Sequence, residues 1–264
     1  MLLIKNLPFT NVVANGVATV SLPIGMSYNR IFLALGGTTF TKSMITDIKV
    51  RLNGKVIFQN TGARLDSINT YRKRGVASNF LVLDFTEPDA KDMAEQFIGN
   101  INTAQGVSSL TMEITIAGAT APTLDSYAEV GPPAPLGVLA KQILFTTSFG
   151  GSGKFPFKLI DVANRGAIIK RVHFAHGGNV SALEVKKNGI VIHDNIPTAV
   201  NSFYQADYNK TAQSNIYTYD PCLDNNYTNA VKTQDMVSLE FNLTTSAADT
   251  VVAVVEALDL LGNM

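Results

Sequence analysis

Three histidines, His173, His176 and His193, are the side chains best suited to bind a transition metal. His173 and His176 lie three positions apart on a run that predicts a β-strand, so their side chains point to opposite faces and cannot chelate one ion together. His193 ends a neighbouring predicted strand and could approach one of them. A shared metal site is one hypothesis, but histidines that merely pack in strands are the better interpretation.

A second group of candidate ligands is made of side-chain oxygens. Asp220, Asp224 and Asn225, with Asn226 beside them, could supply oxygen ligands for a structural calcium ion. Their spacing matches no EF-hand loop, so an ordinary polar loop is the favoured interpretation. No other cofactor is expected.

The sequence lacks the motifs on which most enzymes depend. It has no Gly-x-Ser-x-Gly elbow, no Gly-Lys-Ser/Thr phosphate loop and no His-Glu-x-x-His helix. The one cysteine, Cys222, follows Pro221 and has no assignable catalytic partner, which favours a small packed side chain. We assign no catalytic residue and predict that the protein is not an enzyme.

Charge and composition restrict the partners. The formal net charge is zero, so no overall field favours nucleic acid, and no specific nucleic-acid partner is expected. Arg72-Lys73-Arg74 could contact lipid head groups or nucleic acid, but three charges at a helix end are expected to face water and complement the helix dipole. The first ten residues lack the apolar core of a secretory signal, which predicts synthesis in the cytoplasm of the cell that makes it.

The chain contains an internal duplication. When the sequence is shifted by 135 positions, Ile45–Tyr71 falls on Val180–Ala206 with seven identical residues. Asn53-Gly54 and Asn188-Gly189 coincide, and Asn-Gly between two apolar runs is a strong signal for a β-hairpin. Two copies of one unit predict two similar domains.

Short apolar runs separated by Gly, Asn and Ser clusters predict an all-β chain built as a sandwich or barrel. The expected strands of the first half are Ala18–Leu22, Arg30–Gly36, Asn79–Phe85 and Leu110–Ala117, besides those of the hairpin. The expected strands of the second half are Phe155–Ile160, Ile168–Ala175, Asn215–Tyr219, Met236–Leu243 and Thr250–Ala257, again besides the hairpin.

Few helices are expected, and all of them lie in loops. The longest is predicted over residues 86–98, with Thr86 as its N-cap and an apolar face that includes Met93 and Phe97. Shorter helices are predicted over residues 63–74 and 197–206, while residues 221–234 read as a loop.

The proline-rich run Gly131-Pro-Pro-Ala-Pro135 can neither join a helix nor donate ladder hydrogen bonds. It divides the chain into an N-terminal domain over residues 1–130, a stiff linker over 131–137 and a C-terminal domain over 138–264.

Paired β-rich halves, a proline-containing connector, a helix within a long loop and the absence of catalytic motifs resemble the double jelly-roll major capsid proteins. The phrase Thr61-Gly-Ala-Arg-Leu-Asp-Ser-Ile-Asn-Thr-Tyr71 is similar to the corticovirus-type coat of tailless, membrane-containing bacteriophages. The resemblance implies two tandem jelly rolls and a structural role in the virion. It also implies homotrimers with a pseudo-hexagonal outline that tile an icosahedral shell above an internal membrane.

The partners implied are other copies of the chain, neighbouring capsomers, a penton protein and membrane-associated virion proteins. Residues 87–98 and 258–264 are the expected contributors to the trimer interface. Two alternatives remain open at this stage. One is a tandem jelly-roll carbohydrate-binding or host-attachment module, for which Tyr204, Tyr208, Tyr217, Tyr219 and Tyr227 could stack sugars. The other is a two-domain β-barrel enzyme, which the missing metal ligands disfavour.

Overall fold

The computed structural model of the chain describes residues 2–159 and 166–263. The chain divides into two compact units. The first unit holds the residues up to Ile143 together with those from Leu260 onward, and the second holds Leu144–Asp259. Two predictions extend past the described residues, since Ile160 of an expected strand and Met264 of the tail lie outside them.

The first unit is built from two sheets. Its strands are β1 (Leu2–Lys5), β2 (Gly16–Ser21), β3 (Ser27–Thr39), β4 (Ile45–Leu52), β5 (Lys55–Asn60), β6 (Phe80–Asp84), β7 (Ile101–Asn102), β8 (Leu110–Ile116) and β9 (Thr120–Gly131). One sheet has the order β1-β9-β3-β6 with β7 on β3, and the other contains β2-β8-β4-β5. Its helices are α1 (Gly62–Tyr71) and α2 (Met93–Gln96).

The second unit repeats this plan. Its strands are β10 (Val138–Phe149), β11 (Gly153–Phe157), β12 (Ile168–Ala175), β13 (Val180–Lys187), β14 (Ile190–Pro197), β15 (Ile216–Tyr219), β16 (Val231–Lys232), β17 (Leu239–Thr245) and β18 (Asp249–Leu260). The orders are β10-β18-β12-β15, with β16 on β12, and β11-β17-β13-β14. Its helix is α3 (Thr198–Asp207), and the first residues of β10 belong to the first unit.

The two units share one strand topology. Without the two-residue strands β7 and β16, each unit has eight strands. When these eight are numbered in chain order within each unit, one sheet has the order 1-8-3-6 and the other has the order 2-7-4-5 in both units. This arrangement is the jelly roll, a sandwich of two interlocked Greek keys. The predicted fold, all-β with two tandem jelly rolls and a few short helices, is confirmed.

Alternating side chains form the core of each sandwich. On β8, Leu110, Met112, Ile114 and Ile116 are all buried, and the residues between them are only partly covered. Successive side chains of a strand point to opposite faces, so every second position faces the other sheet. The period-two pattern thus determines which face of each sheet is buried.

Each predicted Asn-Gly hairpin turn is present, and its asparagine has a second function. Asn53 and Asn188 have φ angles of 50° and 52°, and the glycines after them both have φ 78°. The Asn53 Oδ1 accepts a hydrogen bond from the backbone N–H of Ser108 at 2.8 Å, and the Asn188 Oδ1 accepts one from Val237 at 2.7 Å. Each turn therefore fixes the loop that leads into the seventh strand of its own unit.

The helix predicted over residues 86–98 is wrong in extent, since only Met93–Gln96 is α-helical. Thr86 does not cap it, because its N–H and hydroxyl both donate to the Asp84 Oδ1. Asp92 caps the short helix instead, through its Oδ1 and the Ala94 N–H at 2.6 Å. Met93 is exposed and Phe97 half-exposed, so the expected apolar face is not packed.

The proline-rich run after β9 is hydrogen-bonded to the first unit. Ser27 Oγ donates to the carbonyl of Pro132 at 2.6 Å, and the N–H of Ala104 donates to that of Ala134 at 3.1 Å. Among the described residues, no helix has the length and apolar character needed to cross a membrane.

Candidate functional site

The first candidate calcium ligand, Asp220, lies just after β15 and is fully buried. Its Oδ2 accepts a hydrogen bond from the Arg171 Nε at 2.8 Å, and its Oδ1 accepts one from the Cys222 N–H at 2.9 Å. The side chains of Asp220 and Arg171 are both inaccessible to water. The carboxylate is thus already neutralised by a guanidinium, which competes with a cation for the same oxygens.

The other two candidates lie in the loop that follows. The Asp224 Oδ1 accepts a hydrogen bond from the Asn226 N–H at 3.1 Å, as in an Asx turn. The Asn225 Oδ1 accepts one from the Lys210 Nζ at 3.1 Å. Protein donors therefore face the oxygens of all three predicted ligands. This favours a hydrogen-bonded polar loop, and calcium binding here stays a prediction.

Asp220 belongs to a charged cluster that spans three strands. Arg171 on β12 lies opposite Glu256 on β18 and donates from Nη1 to its Oε2 at 3.0 Å. The same guanidinium donates from Nη2 to the hydroxyl of Tyr227. Buried charged groups need oppositely charged and hydrogen-bonding partners, and this cluster supplies them. We therefore interpret the cluster as a part of the folded structure and not as a binding site.

The first unit has the same three residue types at the equivalent strand positions. Arg30 on β3 lies opposite Asp84 on β6 and Glu129 on β9, and its Nε is 3.4 Å from the Asp84 Oδ1. In each unit the strand register shifts immediately before the arginine. The shift lies between Tyr28 and Arg30 in the first unit and between Ile169 and Arg171 in the second. The duplication therefore preserves a bulge and an ion pair as well as the strand order.

The three histidines do not converge. His173 Nδ1 lies 2.9 Å from the Thr218 hydroxyl, and His193 Nε2 lies 2.9 Å from the Tyr217 hydroxyl. His176 accepts from the Gly178 N–H, outside the end of β12. Burial lowers the pKa of His193 to about 4, which keeps it neutral at physiological pH. Within residues 2–159 and 166–263, no cluster of three or more His, Cys, Asp or Glu could hold a metal ion.

The expectation that Arg72 and Arg74 face water is wrong. Arg72 is buried and donates from Nη2 to the Glu87 Oε2 at 2.5 Å, while Arg74 Nη1 lies 2.7 Å from the Asp84 Oδ2. Both side chains hold the loop after β6 against the end of α1. The sequence pattern did not reveal this role, because the acidic partners lie ten or more residues further along the chain.

The second unit exposes an apolar surface on β14 and α3, which we call the β14–α3 surface. Strand β14 forms an edge of its sheet and exposes Ile190, Val191 and Ile192. Helix α3 follows it directly and exposes Val200 and Phe203. Exposed apolar side chains beside an edge strand mark a candidate interaction surface, because such an edge would otherwise promote aggregation.

The first unit exposes an apolar groove beside its own edge strand, which we call the β1 groove. Its volume is about 710 Å³, and its walls include Leu2 and Leu3 of β1, Phe32 of β3 and Val82 of β6. Leu3, Phe32 and Val82 lie on the outer face of the sheet, opposite the core, whereas Leu2 lies at the sheet edge and pairs with the core residue Val130. Leu2 and Leu3 are both largely exposed.

A smaller groove in the second unit contains part of the predicted tyrosine cluster. Its volume is about 410 Å³, and Tyr204 of α3 and Tyr208 just after it line the groove together with Asp224 and Asn229. The two tyrosine rings meet edge to face with centroids 5.1 Å apart. The remaining tyrosines of the cluster, Tyr217, Tyr219 and Tyr227, are buried.

Comparison with solved structures identifies the class of protein to which this fold belongs. The crystal structure of the major capsid protein P2 from bacteriophage PM2 matches with a TM-score of 0.89 at 22% identity, over 97% of this chain and 96% of that one. The structure of Sulfolobus Turreted Icosahedral Virus matches with a TM-score of 0.69 at 13% identity, over 99% and 89%. The fold is that of the double jelly-roll viral capsid proteins.

Sequence comparison then identifies the family. The model of the viral coat protein P2 N-terminal domain matches residues 3–131, and that of the P2 C-terminal domain matches residues 139–261. The major capsid protein P2 of Pseudoalteromonas phage PM2 is 26% identical over 238 residues, which cover 86% of this chain and 85% of that protein. The chain belongs to the viral coat protein P2 family. The predicted capsid identity, location in the virion and lack of enzymatic function are confirmed.

Proposed function

We propose that this coat protein forms homotrimers whose six jelly rolls make a pseudo-hexagonal block, and that these blocks tile an icosahedral shell over an internal membrane. The observation that carries the proposal is the identical strand order of the two units, with the same bulge and the same Arg–Asp pair in each. A three-fold ring of such chains has six similar wedges around its axis. Six-sided blocks fill a surface that three-sided ones leave open.

The exposed apolar surfaces support lateral association. The β14–α3 surface lies on the second unit and the β1 groove on the first. A contact between two different patches is heterologous, and a heterologous contact that closes on itself gives a ring. Burying both patches in a ring also removes two unpaired strand edges from water.

The further partners are neighbouring capsomers, a penton protein and membrane-associated virion proteins. A pseudo-hexagonal block cannot occupy a five-fold corner of an icosahedron, so a separate penton protein is required there. The tail from Leu258 and the segment that includes α2 are proposed contact regions. The carbonyl of Leu261 accepts a hydrogen bond from the Lys55 Nζ at 3.2 Å, and both residues belong to the first unit.

Light scattering on the purified protein tests the trimer. We expect a mass three times the 28.4 kDa of one chain at micromolar concentration, and a hexagonal outline in negative stain. A monomer mass at that concentration contradicts the proposal, as does a three-lobed outline without six-fold character.

The groove at Tyr204 and Tyr208 supports a second candidate function, attachment to a host carbohydrate. Exposed tyrosine rings beside Asp224 and Asn229 combine a stacking surface with hydrogen-bonding groups, as sugar sites require. A glycan array probed with the trimer tests this, with a Tyr204→Ala, Tyr208→Ala double variant as the control. Saturable binding that the double variant loses supports attachment, and an array without saturable binding refutes it.

A further inference from the structure

The first strand of each sequence repeat is also duplicated. Residues 2–10 read LLIKNLPFT and residues 138–146 read VLAKQILFT, a shift of 136 positions. Leu3 matches Leu139, Lys5 matches Lys141 and Asn6 matches Gln142. Strand β1 is therefore the counterpart of the beginning of β10.

These two counterparts lie in opposite environments. Leu139 is 0% exposed within the core of the first unit, whereas Leu3 is 66% exposed. Two contacts cover the beginning of β10: Leu139 forms a parallel bridge with Gly99, and Gln142 lies opposite Phe58 in a parallel pairing with β5. The Asn60 Nδ2 at the end of β5 donates to the Gln142 Oε1 at 3.2 Å.

The accepting strand β5 also has a counterpart, which is β14. Residues of β5 and of the helix after it are buried, whereas their matches in β14 and α3 are exposed. Ile57 of β5 is 0% exposed, and its match Ile192 is 43% exposed. Ile68 of α1 is 2% exposed, and its match Phe203 of α3 is 74% exposed. The second unit thus presents the counterpart of this acceptor surface, and within the described ranges no further strand pairs with β14 on that side.

We propose that β1 of one copy adds in parallel to β14 of a second copy, as the beginning of β10 adds to β5 within the chain. Asn6 matches Gln142 and His193 matches Phe58, so the same register places Asn6 of one copy opposite His193 of the second. It also places the Asn6 side chain beside Asn195, the match of Asn60. This inference rests on the proposed trimer and specifies the contact that closes it.

The Asn6 side chain offers a polar group at the matching position, and one of its atoms is unsatisfied. The Asn6 side chain is buried and its Nδ2 donates to the Ser126 Oγ at 3.1 Å, but its Oδ1 has no hydrogen-bond partner among the described residues. A buried acceptor without a donor is unfavourable. The matching oxygen of Gln142 accepts from Asn60. In the proposed contact, the Asn6 side chain turns outward toward Asn195, whose Nδ2 supplies the equivalent donor.

The apolar surfaces beside the two strands complete the contact. Leu2 and Leu3 form one wall of the β1 groove. If β14 of the second copy pairs with β1, the helix that follows β14 comes to lie at this groove. In the second copy that helix is α3, which exposes Val200 and Phe203. These side chains fill the groove in the proposed assembly and exclude water from it.

Charge substitutions at exposed positions test the contact without disturbing the single chain. We expect Leu3→Asp and Phe203→Asp each to lower the trimer fraction at micromolar concentration at least tenfold in light scattering, with an unchanged circular dichroism spectrum. Val237→Asp is the matched control, since Val237 is 91% exposed and apolar but lies outside both surfaces. It should leave the trimer intact.

A disulfide tests the register. Under oxidation, the Asn6→Cys, His193→Cys double variant should give covalent trimers on a non-reducing gel, because paired strand residues lie within disulfide reach. The Asn6→Cys, Val237→Cys pair should give none. A trimer that survives both Leu3→Asp and Phe203→Asp, and in which the first pair does not cross-link, overturns this contact while the proposed trimer stands. A wild-type monomer overturns the proposed function itself, and the inference with it.

Discussion

Replacing Asp220 by Asn separates the two interpretations of this carboxylate. Asn has the same shape and can still accept the hydrogen bond from the Cys222 N–H, but it removes the negative charge opposite Arg171. The Arg171 guanidinium cannot gain water in exchange, because its side chain is only 1% exposed. It keeps Glu256 at 3.0 Å as its other anionic partner.

The size of the effect follows from that geometry. Removal of one partner from a buried ion pair costs about 3–5 kcal/mol, and because Glu256 remains we expect the lower end, about 3 kcal/mol. With a slope of about 1–3 kcal/mol per molar urea, the unfolding midpoint should fall by about 1–3 M. Far-UV circular dichroism is the appropriate probe, since the sequence has no tryptophan.

Calcium provides the decisive comparison. If Asp220 serves the ion pair, Asp220→Asn loses the same free energy of unfolding in millimolar calcium and in a chelator. The matched control, Asp224→Asn, lies in the partly exposed loop and should cost about 1 kcal/mol or less. A loss confined to the calcium-containing samples refutes the ion-pair reasoning and establishes a calcium site. An unchanged midpoint under both conditions refutes both interpretations.

Three further outcomes are expected from single substitutions. Asn188→Ala and Asn53→Ala each remove hydrogen bonds from a turn with positive φ and should lower the free energy of unfolding by about 2–3 kcal/mol, measured by urea denaturation. The pKa of His193 falls from 6.5 to about 4 on folding, so between these pH values only the unfolded chain binds the proton. The free energy of unfolding should therefore fall as the pH drops from 6.5 to 4. His193→Gln should remove this contribution to the pH dependence. Lys154 lowers the pKa of Glu184 from 4.5 to about 2, so this pairing stabilises the fold above pH 4.5 and is lost as pH falls to 2; Glu184→Gln should be less stable than wild type at pH 7 and equal to it at pH 2.

Local patterns predicted the hairpins and the two helices that follow them. Helix α1 was expected over residues 63–74 and occupies Gly62–Tyr71, and α3 was expected over 197–206 and occupies Thr198–Asp207. Asn-Gly turns and amphipathic runs depend on neighbours in sequence, so a single sequence contains the necessary information.

The strands β9 and β10 were missed, although each has twelve residues. On β9 the buried positions include Ser126 and Ala128, which are too small or too polar to reveal a period of two. On β10, Lys141 and Gln142 are buried because β5 lies against them, an environment that is decided by residues far away in sequence. Tertiary contacts, and not local preference, determine these strands.

The duplicated charged cluster was missed for a different reason. Arg30 and Arg171, Asp84 and Asp220, and Glu129 and Glu256 are separated by 141, 136 and 127 positions. Loops of different length intervene between the strands, so one fixed shift cannot align all three pairs. An alignment that allowed a gap in each loop would have revealed the cluster.

The duplication explains why the two copies of one sequence pattern differ in exposure. Each unit has a first strand that can add to an edge and a fifth strand that can accept one. The beginning of β10 occupies β5, which leaves β1 as a donor and β14 as an acceptor. A chain with one donor and one acceptor must close into a ring or extend into a filament, and the rotation between successive copies decides which. If the rotation is 120°, three copies use every β1 donor and every β14 acceptor, and growth by this pairing stops. An open filament in electron micrographs of purified protein would show that the strand pairing is right and the ring is wrong.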